Sequence, residues 1–541
     1  MSKSYTVQIP QLGGGINCYV GPEMIGVDEA QRASRNTRSQ GTGFRSRYGY
    51  TTYADTLTGG DRIAAFGNYT RNLAANDRLV MAYNDNLYDI DTTSETSWSL
   101  ITDSLFTNDT NVDMVAFRDW LFIFNGVDKP IRLADTTTSQ PFVAPASVTT
   151  ANFLPAFGDT GQNSLFVAGV PTAPNICFVS RASTDANPEY VYDFSGALTS
   201  FGDAQALSFP SRVTAIRKLS DAVVIFTESQ AFYCKGLTSL GSTVLLNVQP
   251  IAGSSGAVSQ KSTCVVENDI YYLTPNKEIK SLKRGFSDQT SVIVTPLSVK
   301  IQAILNEDID DDLSDSFAYY DQANKLYKIY FRAKDASLNT MRVVGDINKL
   351  DQGGVPAWGI DDSVPFSCGI YYKGKTYVGS TVIGQVYKDE DGLADDDDVG
   401  ITTRRPTKEF NSSNPTTVKR FKEVVVFGEM TVASVGTVVV YVDGIEAARK
   451  TLDYNDIPSA SVGTDGGIAT EAIGEFVLGS DGDEPNSTTY FEFIKRIPFR
   501  QTGRRLRIEF LTDGVNNDIR PRNGNYSFIA LSPTFNPIIE K

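Results

Sequence analysis

Residues 212–236 read RVTAIRKLSDAVVIFTESQAFYCKG, and this stretch predicts three short strands joined by tight turns. Residues 213–216 alternate apolar and polar side chains, as a half-buried strand does. Residues 222–226 are all apolar, which is typical of a strand that is buried on both faces. A small sheet of this kind cannot bury both faces alone, so the pattern predicts that similar sheets pack beside it.

The same pattern recurs along the chain. An apolar strand, a polar turn and a second strand with an aromatic residue occur again at residues 78–92, 115–133, 264–282, 316–332 and 365–387. The spacing is irregular, roughly 35 to 100 residues, whereas regular propellers repeat about every 40–50 residues. Radial packing buries both faces of each small sheet and leaves only short edges, so the repeats favour a β-propeller with irregular loops. Two stacked β-sandwiches are the alternative.

A chain of 541 residues is long enough for several domains. We predict an all-β protein of three parts: an N-terminal arm with a first strand at residues 1–60, a β-propeller at residues 61–410 and a β-sandwich at residues 411–541. The last part contains at least six longer strands in about 130 residues, which suits a β-sandwich. Residues 296–305 are the best helix candidate, because their apolar side chains recur at helical spacing.

Histidine is absent from the sequence. Its absence removes Ser-His-Asp and Cys-His catalysis, histidine-ligated metals and imidazole proton shuttles. Any enzyme here would have to work with carboxylates, tyrosine or lysine. The five cysteines are scattered and none has C-x-x-C spacing, which indicates buried thiols rather than a disulfide framework or a zinc site. They are Cys18, Cys177, Cys234, Cys264 and Cys368.

The formal net charge is −15, which argues against a protein that reads a nucleic-acid sequence, since such proteins carry a basic surface. It permits a channel through which DNA passes without binding. No run of 18 apolar residues occurs, so no membrane span is predicted. The N-terminus lacks the apolar core of a signal peptide, so we expect the protein to be made and assembled in a cytoplasm.

Two acidic runs are candidates for lining such a channel, at residues 307–315 (EDIDDDLSD) and residues 389–398 (DEDGLADDDD). A solvated loop is the plainer interpretation of each. The channel or gate candidates are Asp310, Asp311, Asp312, Asp396, Asp397 and Asp398.

Calcium binding is a second alternative for these runs. The spacing of candidate ligands partly fits a calcium loop, although neither run has the Gly and Glu positions of an EF-hand. The candidate ligands are Asp308, Asp310 and Asp312 in the first run, and Asp389, Asp391 and Asp395 in the second.

Arginines are concentrated at residues 32–47 and 404–405, and basic residues again at 495–507. Solvated surface charge is the plainer interpretation, and docking on an acidic partner, such as a neighbouring copy of the chain, is the alternative. The docking candidates are Arg35, Arg45, Arg47, Arg404, Arg405, Arg504 and Arg505.

Several motifs resemble those of one protein family. The first of these motifs is Gly-Gly-Gly-Ile-Asn at residues 13–17. Asp-Glu-Ala at 28–30, Arg-Asn at 35–36 and Gly-x-x-x-Arg-x-Gly at 43–49 follow it. The strands at residues 219–236 and 256–282 and the passage from 374 to 422 continue the likeness. Together they resemble the β-propeller tail nozzle, or packaged-DNA-stabilisation, proteins of short-tailed bacteriophages.

This resemblance implies a structural protein of the virion tail. Such proteins form a sixfold homo-oligomeric ring below the portal and its adaptor, close the DNA channel after packaging and let the DNA leave on infection. They also offer seats for tail fibres or spikes, and they bind no cofactor and catalyse no reaction.

Two other function classes stay open. One is a receptor-binding tail or baseplate module without a channel. The other is a carbohydrate-binding or glycosidase propeller that uses paired carboxylates. The sequence lacks sialidase-type Asp boxes and has only three tryptophans, so it offers few platforms on which a sugar could stack.

Overall fold

The fold is that of a computed structural model, which describes residues 4–69, 78–91, 96–102, 105–107, 110–134, 137–195, 203–220, 222–240, 243–284, 292–395, 399–411, 416–431, 434–453, 490–512, 514 and 518–530. The chain divides into two compact units. The sandwich unit comprises Met1–Thr51, Gly345–Asp362 and Glu390–Lys541, and the propeller unit comprises Thr52–Val344 and Ser363–Asp389.

Four strands precede the repeated sheets: β1 (Ser4–Ile9), β2 (Thr37–Gln40), β3 (Gly43–Ser46) and β4 (Tyr50–Leu57). Three four-stranded sheets follow in chain order. The first is β5 (Ile63–Tyr69), β6 (Arg78–Tyr83), β7 (Asn86–Asp91) and β8 (Ser99–Thr102). The second is β9 (Asp113–Phe117), β10 (Trp120–Phe124), β11 (Ile131–Ala134) and β12 (Thr137–Ser139). The third is β13 (Phe157–Gly161), β14 (Ser164–Ala168), β15 (Ile176–Val179) and β16 (Gln205–Ser208).

Four more sheets complete the series. The fourth is β17 (Val213–Leu219), β18 (Ala222–Thr227), β19 (Ala231–Leu240) and β20 (Thr243–Pro250). The fifth is β21 (Thr263–Val266), β22 (Asp269–Leu273), β23 (Ile279–Arg284) and β24 (Val292–Pro296). The sixth is β25 (Phe317–Asp321), β26 (Leu326–Arg332), β27 (Asn339–Leu350) and β28 (Pro356–Asp362). The seventh contains β29 (Phe366–Tyr372), β30 (Lys375–Ser380) and β31 (Gly384–Asp389), with β4 as its outer strand.

These sheets form a seven-bladed β-propeller among the described residues. The first strand of each sheet contacts the first strand of the next, and β29 contacts β5, so the inner strands close into a ring. Because β4 precedes the first blade in sequence and belongs to the last, the chain closes the ring by joining its beginning to its end. The predicted all-β fold with a propeller is confirmed, and each predicted strand repeat lies within a different blade.

The stretch at residues 212–236 forms the first three strands of the fourth blade, as predicted. All six residues of β18 are buried, which agrees with its position between two neighbouring strands. Ser220 has a φ of 56° in the turn before it. The third blade was not predicted, because its first strand, FGDTG, lacks the apolar run that marks the others.

The sandwich unit contains two four-stranded sheets and the β2–β3 hairpin. One sheet has the order β1-β38-β33-β36 and the other β32-β37-β34-β35. The strands are β32 (Thr403–Pro406), β33 (Lys419–Met430), β34 (Gly436–Val442), β35 (Ile445–Leu452), β36 (Phe491–Gly503), β37 (Leu506–Thr512) and β38 (Ile519–Ala530). One apolar core draws residues from both sheets, including Phe421, Val440 and Phe510, so the predicted β-sandwich is confirmed.

The unit boundaries differ from those predicted. Residues 4–9 are no arm, because β1 pairs along its whole length with β38 from the other end of the chain. The propeller unit ends at Asp389 rather than at residue 410, and Gly345–Asp362 belongs to the sandwich unit. Pairing between strands about 520 residues apart decides this division, and composition along the chain does not reveal it.

The described helices are few and short, and the cysteines form no disulfide bonds. The described helices are α1 (Gln302–Glu307) and the 3₁₀ turns Pro188–Tyr192 and Val299–Ile301, so the helix expected at residues 296–305 is shorter and shifted. The longest of these helices has six residues, and none could form a transmembrane segment. All five cysteines are free thiols, and Cys177, Cys234 and Cys368 are buried.

Phe226 is expected to be essential to the packing between the fourth and fifth blades. It is fully buried, and its ring centroid lies 4.9 Å from that of Tyr272. We expect Phe226→Ala to lower the free energy of unfolding of the propeller by about 3–5 kcal/mol, because the substitution leaves a cavity. Denaturant unfolding of both proteins measures the difference. The control Val382→Ala removes an exposed side chain and should change stability by less than about 0.5 kcal/mol; equal effects would contradict the packing role.

Candidate functional site

The acidic run at residues 307–315 is held by cations of the same chain. Lys277 pairs with Asp311 at 2.7 Å, and Arg332 pairs with Asp312 at 3.2 Å and with Asp315 at 2.7 Å. The hydrogen bond from Lys277 lowers the pKa of Asp311, and a hydrogen bond from the Ser314 hydroxyl lowers that of Asp312. Much of the negative charge in this loop is thus balanced locally.

A calcium site at this run is not supported. The Asp310 carboxylate accepts the backbone N–H of Asp312, which is a turn interaction rather than a cation cradle. Asp308 is the second residue of the run, and its carbonyl oxygen accepts the Lys334 N–H. Nowhere in the described residues do three or more Asp, Glu or Cys side chains form a group that could hold a metal ion.

The second acidic run is divided between the two units. Asp389 ends the propeller unit, whereas Asp391 and Asp395 belong to the sandwich unit. Asp391 accepts a hydrogen bond from the Thr51 hydroxyl, and Asp395 forms a buried ion pair with Arg47. The gate candidates Asp396, Asp397 and Asp398 lie outside the described residues.

Asp389 is the centre of a buried polar network in the propeller unit. Its carboxylate accepts hydrogen bonds from the Tyr319 hydroxyl at 2.6 Å, from Lys328 Nζ at 2.7 Å and from Arg342 at 2.7 and 2.8 Å. Burial alone raises the pKa of Asp389, but the charges of Arg342 and Lys328 outweigh it and hold the pKa well below its usual range. With both oxygens occupied, Asp389 is a structural residue, and its prediction as a cation ligand is wrong.

Two of the predicted docking arginines are buried and so cannot meet a partner. Arg47 is 1% exposed and forms hydrogen bonds to Asp395 and Asn36. Arg405 is 4% exposed and donates to the carbonyl oxygens of Leu12 and Gly14. Burial lowers the pKa of Arg405 to about 10. Both side chains hold segments of the sandwich unit together, which corrects their predicted docking role.

Four other candidates are engaged within the sandwich unit. Arg35 pairs with Asp362 at 3.2 Å, and the Arg45 guanidinium lies 3.3 Å from the centroid of the Tyr48 ring. Arg404 pairs with Glu509. Arg505 pairs with Glu409 at 3.1 Å.

Arg504 is the exception among the docking candidates. It is exposed, and its side chain makes no ion pair with any described residue, although its backbone N–H donates to Asp443. It is therefore the predicted docking residue whose charge has no ion-pair partner in the described part of the chain.

The sheet β1-β38-β33-β36 carries further unpaired arginines. Arg420, Arg496 and Arg500 are exposed and make no ion pair with the described part of the chain. Their strand neighbours Phe421, Ile497 and Phe499 lie in the core, so alternation along β33 and β36 directs the arginines outward. With Arg504 they make up what we call the arginine patch.

Apolar side chains are interleaved with the arginine patch. Ile494 is 48% exposed, and the register places Pro498 opposite Glu423, a carboxylate within the same area. Arginine beside exposed apolar surface is typical of protein interfaces. The alternation in FEFIKRIPFRQTG, residues 491–503, was the signal that could have singled out Arg496 and Arg500.

Comparisons with known proteins bear on the fold alone. No family model matches the chain, and no curated protein matches it in sequence. Among solved structures, YCF48 bound to D1 peptide is 11% identical with a TM-score of 0.35, covering 66% of this chain and 97% of that one. The β-propeller domain of Cps50 (Swd1) from Myceliophteria thermophila is 9% identical with a TM-score of 0.39, covering 63% and 99%. BBS1N in complex with ARL6DN is 10% identical with a TM-score of 0.38, covering 64% and 98%.

The Asp389 network predicts a pH-dependent loss of stability. We expect Asp389→Asn to lower the free energy of unfolding at pH 7 by about 3–5 kcal/mol, because the buried cations Lys328 and Arg342 each lose a charged partner. A depressed folded-state pKa adds stability above the unfolded pKa of about 3.9, and that stability is lost as the pH falls further. The difference between the two proteins should therefore persist down to about pH 4 and shrink below it.

Urea unfolding at pH 7, 5 and 3 measures this dependence. The control is Asp185→Asn, which alters an exposed ion pair with Arg118 and should cost less than about 1 kcal/mol. A variant that unfolds like the wild type at pH 7 would show that the network is not stabilising.

Proposed function

We propose that this chain is a structural protein of a bacteriophage virion, the ring-shaped tail nozzle below the portal and adaptor. In this role it closes the DNA channel after packaging and lets DNA leave on infection. The proposal rests on the motif resemblance given above and on one observation of the structure, the distribution of charge.

The described residues that are buried include equal numbers of positively and negatively charged side chains. In the part of the chain that the structure describes, seven Lys or Arg residues and seven Asp or Glu residues are buried. The formal charge of −15 therefore belongs to side chains outside this buried set, and the excess of carboxylates lies in segments outside the described residues. A wall rich in carboxylates repels DNA phosphates, whereas lysine and arginine would hold them in a salt-dependent way. The acidic composition of the whole chain thus suits a channel through which DNA must move.

The arginine patch supplies the complementary feature. It concentrates unpaired cations on one sheet and in the turn after β36, within a chain that is acidic overall, and it includes exposed apolar surface. Such a patch suits docking on an acidic protein, either the next copy in a ring or the adaptor. A ring needs a head-to-tail contact between two different surfaces of the subunit, and opposite charges on the two surfaces favour this contact.

Localisation in the particle tests the proposal. Cryo-electron microscopy of the virion, with gold-labelled antibody against this protein, is expected to place the label on the tail axis in sixfold density. Label on peripheral fibres would favour the receptor-binding alternative instead. Absence from the particle would overturn the proposal.

Charge reversal in the arginine patch tests the docking step. We expect Arg496→Glu/Arg500→Glu to reduce incorporation of the protein into particles at least about tenfold, since like charges across an interface cost several kcal/mol. Quantitative immunoblotting of purified particles from complemented infections measures the effect. The matched control Arg449→Glu/Lys450→Glu makes the same change of charge at exposed residues of β35 and should assemble normally. Equal incorporation of both variants would contradict docking through the patch.

A further inference from the structure

The propeller unit contains a cavity of about 700 Å³. Its lining includes Asp113 and Phe157, which begin the inner strands β9 and β13, and Thr214 near the start of β17. Gln260 and Ser314 line it from just before β21 and β25. Five blades thus contribute to one cavity at the end of the ring where the inner strands begin. Its volume lies in the range of small-molecule sites, about 300–1,000 Å³.

Asp113 and Gln260 are fixed in this cavity. The Gln260 side chain is 5% exposed, accepts the Ile216 N–H at 2.8 Å and donates to the Gly158 carbonyl at 3.0 Å. Asp113 Oδ2 accepts the Gly158 N–H at 3.0 Å and a longer bond from Gln260 at 3.4 Å. Asp113 Oδ1 accepts no hydrogen bond from the described residues, and burial raises the pKa of this carboxyl.

Lys261 brings a positive charge to the same cavity. Its Nζ donates to the Ala64 carbonyl at 2.7 Å and to Asn111 Oδ1 at 3.3 Å. An ammonium group has three hydrogens, so one donor stays available. Burial lowers the pKa of Lys261 to about 8.

Three further lining groups have no partner among the described residues. The Thr214 hydroxyl oxygen is buried and makes no hydrogen bond. Arg212 and Glu228 are exposed, and neither side chain forms an ion pair in the described part of the chain. A buried hydroxyl without a partner carries a desolvation cost that a bound ligand would remove.

The lining carries no net charge. Asp113 and Glu228 balance Arg212 and Lys261, and the remaining acid, Asp311, pairs with Lys277. An anionic or a cationic ligand therefore gains no net attraction. The lining instead combines hydrogen-bond acceptors with hydrogen-bond donors. This combination suits a ligand whose groups can both donate and accept hydrogen bonds. A hydroxyl does both.

Apolar side chains complete the cavity wall, including Phe157, Val258, Pro275 and Leu313. The ligand must therefore present an apolar side together with its hydroxyls. A sugar ring has both, with C–H groups on its faces and hydroxyls around its edge. We propose that this cavity is a binding site for a neutral sugar or short oligosaccharide, held between Asp113, Lys261, Thr214 and Glu228.

Titration of the full-length protein with defined sugars tests the site. The probes are glucose, galactose and N-acetylglucosamine as neutral sugars, glucuronate as an anion and glucosamine as a cation. Calorimetry and ligand-observed NMR are expected to detect millimolar binding of at least one neutral sugar, and weaker binding of both charged analogues. No binding of the neutral sugars up to about 20 mM, where a millimolar site is nearly full, would overturn the proposal. Tighter binding of glucuronate or glucosamine would also overturn it.

Two variants tie the binding to the cavity. Thr214→Val removes a hydroxyl that has no internal partner, and Glu228→Gln neutralises an exposed carboxylate, so neither should unfold the protein. Each is expected to weaken sugar binding about tenfold, the effect of losing one hydrogen bond to the ligand. The matched controls Thr58→Val and Glu189→Gln alter exposed residues outside the cavity lining and should leave the affinity unchanged. Unchanged affinity in both cavity variants would place the sugar elsewhere. Location in the virion tests the proposed function separately.

Discussion

Each small sheet of the propeller has two apolar faces, and this constraint governs the structure. Strand β18 has no residue that could face water, and buried residues of neighbouring blades share common cores. A linear row of such sheets would leave its first and last faces exposed to solvent. The contact between β29 and β5 removes those two faces, and β4 joins the chain's N-terminal side to the last blade. Closure is thus required by the hydrophobic faces themselves.

Buried charge imposes a second constraint, because a cation without a carboxylate is costly inside a protein. Arg38 contacts Asp361 at 2.6 Å and Glu390 at 3.0 Å, so three separate stretches of the sandwich unit meet at one guanidinium. The pair between Arg47 and Asp395 joins residues 348 positions apart. Moving either segment would leave a buried charge without its partner. These ion pairs therefore favour one arrangement of the segments, which apolar packing alone would define less well.

Local patterns predicted the strands well, since alternation and apolar runs report directly on burial within a few residues. They placed strands in six of the blades and in the sandwich. They failed where partners are distant: nothing near Ile9 indicates that β1 pairs with β38, and nothing near Arg405 indicates that its guanidinium is buried. An arginine-rich sequence predicts exposed charge by default. Only the fold distinguishes Arg405 from Arg496.

The two candidate sites differ in how far sequence could have revealed them. Arg496 and Arg500 alternate with core residues on a single strand, so a local pattern indicates this part of the arginine patch. The cavity is assembled from residues spread between Asn111 and Ser314, each of which is ordinary in its own loop. Their common feature is that they lie at the end of the ring where the inner strands of the blades begin. The ring that buries the apolar faces of the sheets therefore also brings Asp113, Thr214 and Lys261 to one place, and the same constraint that closes the propeller produces its polar cavity.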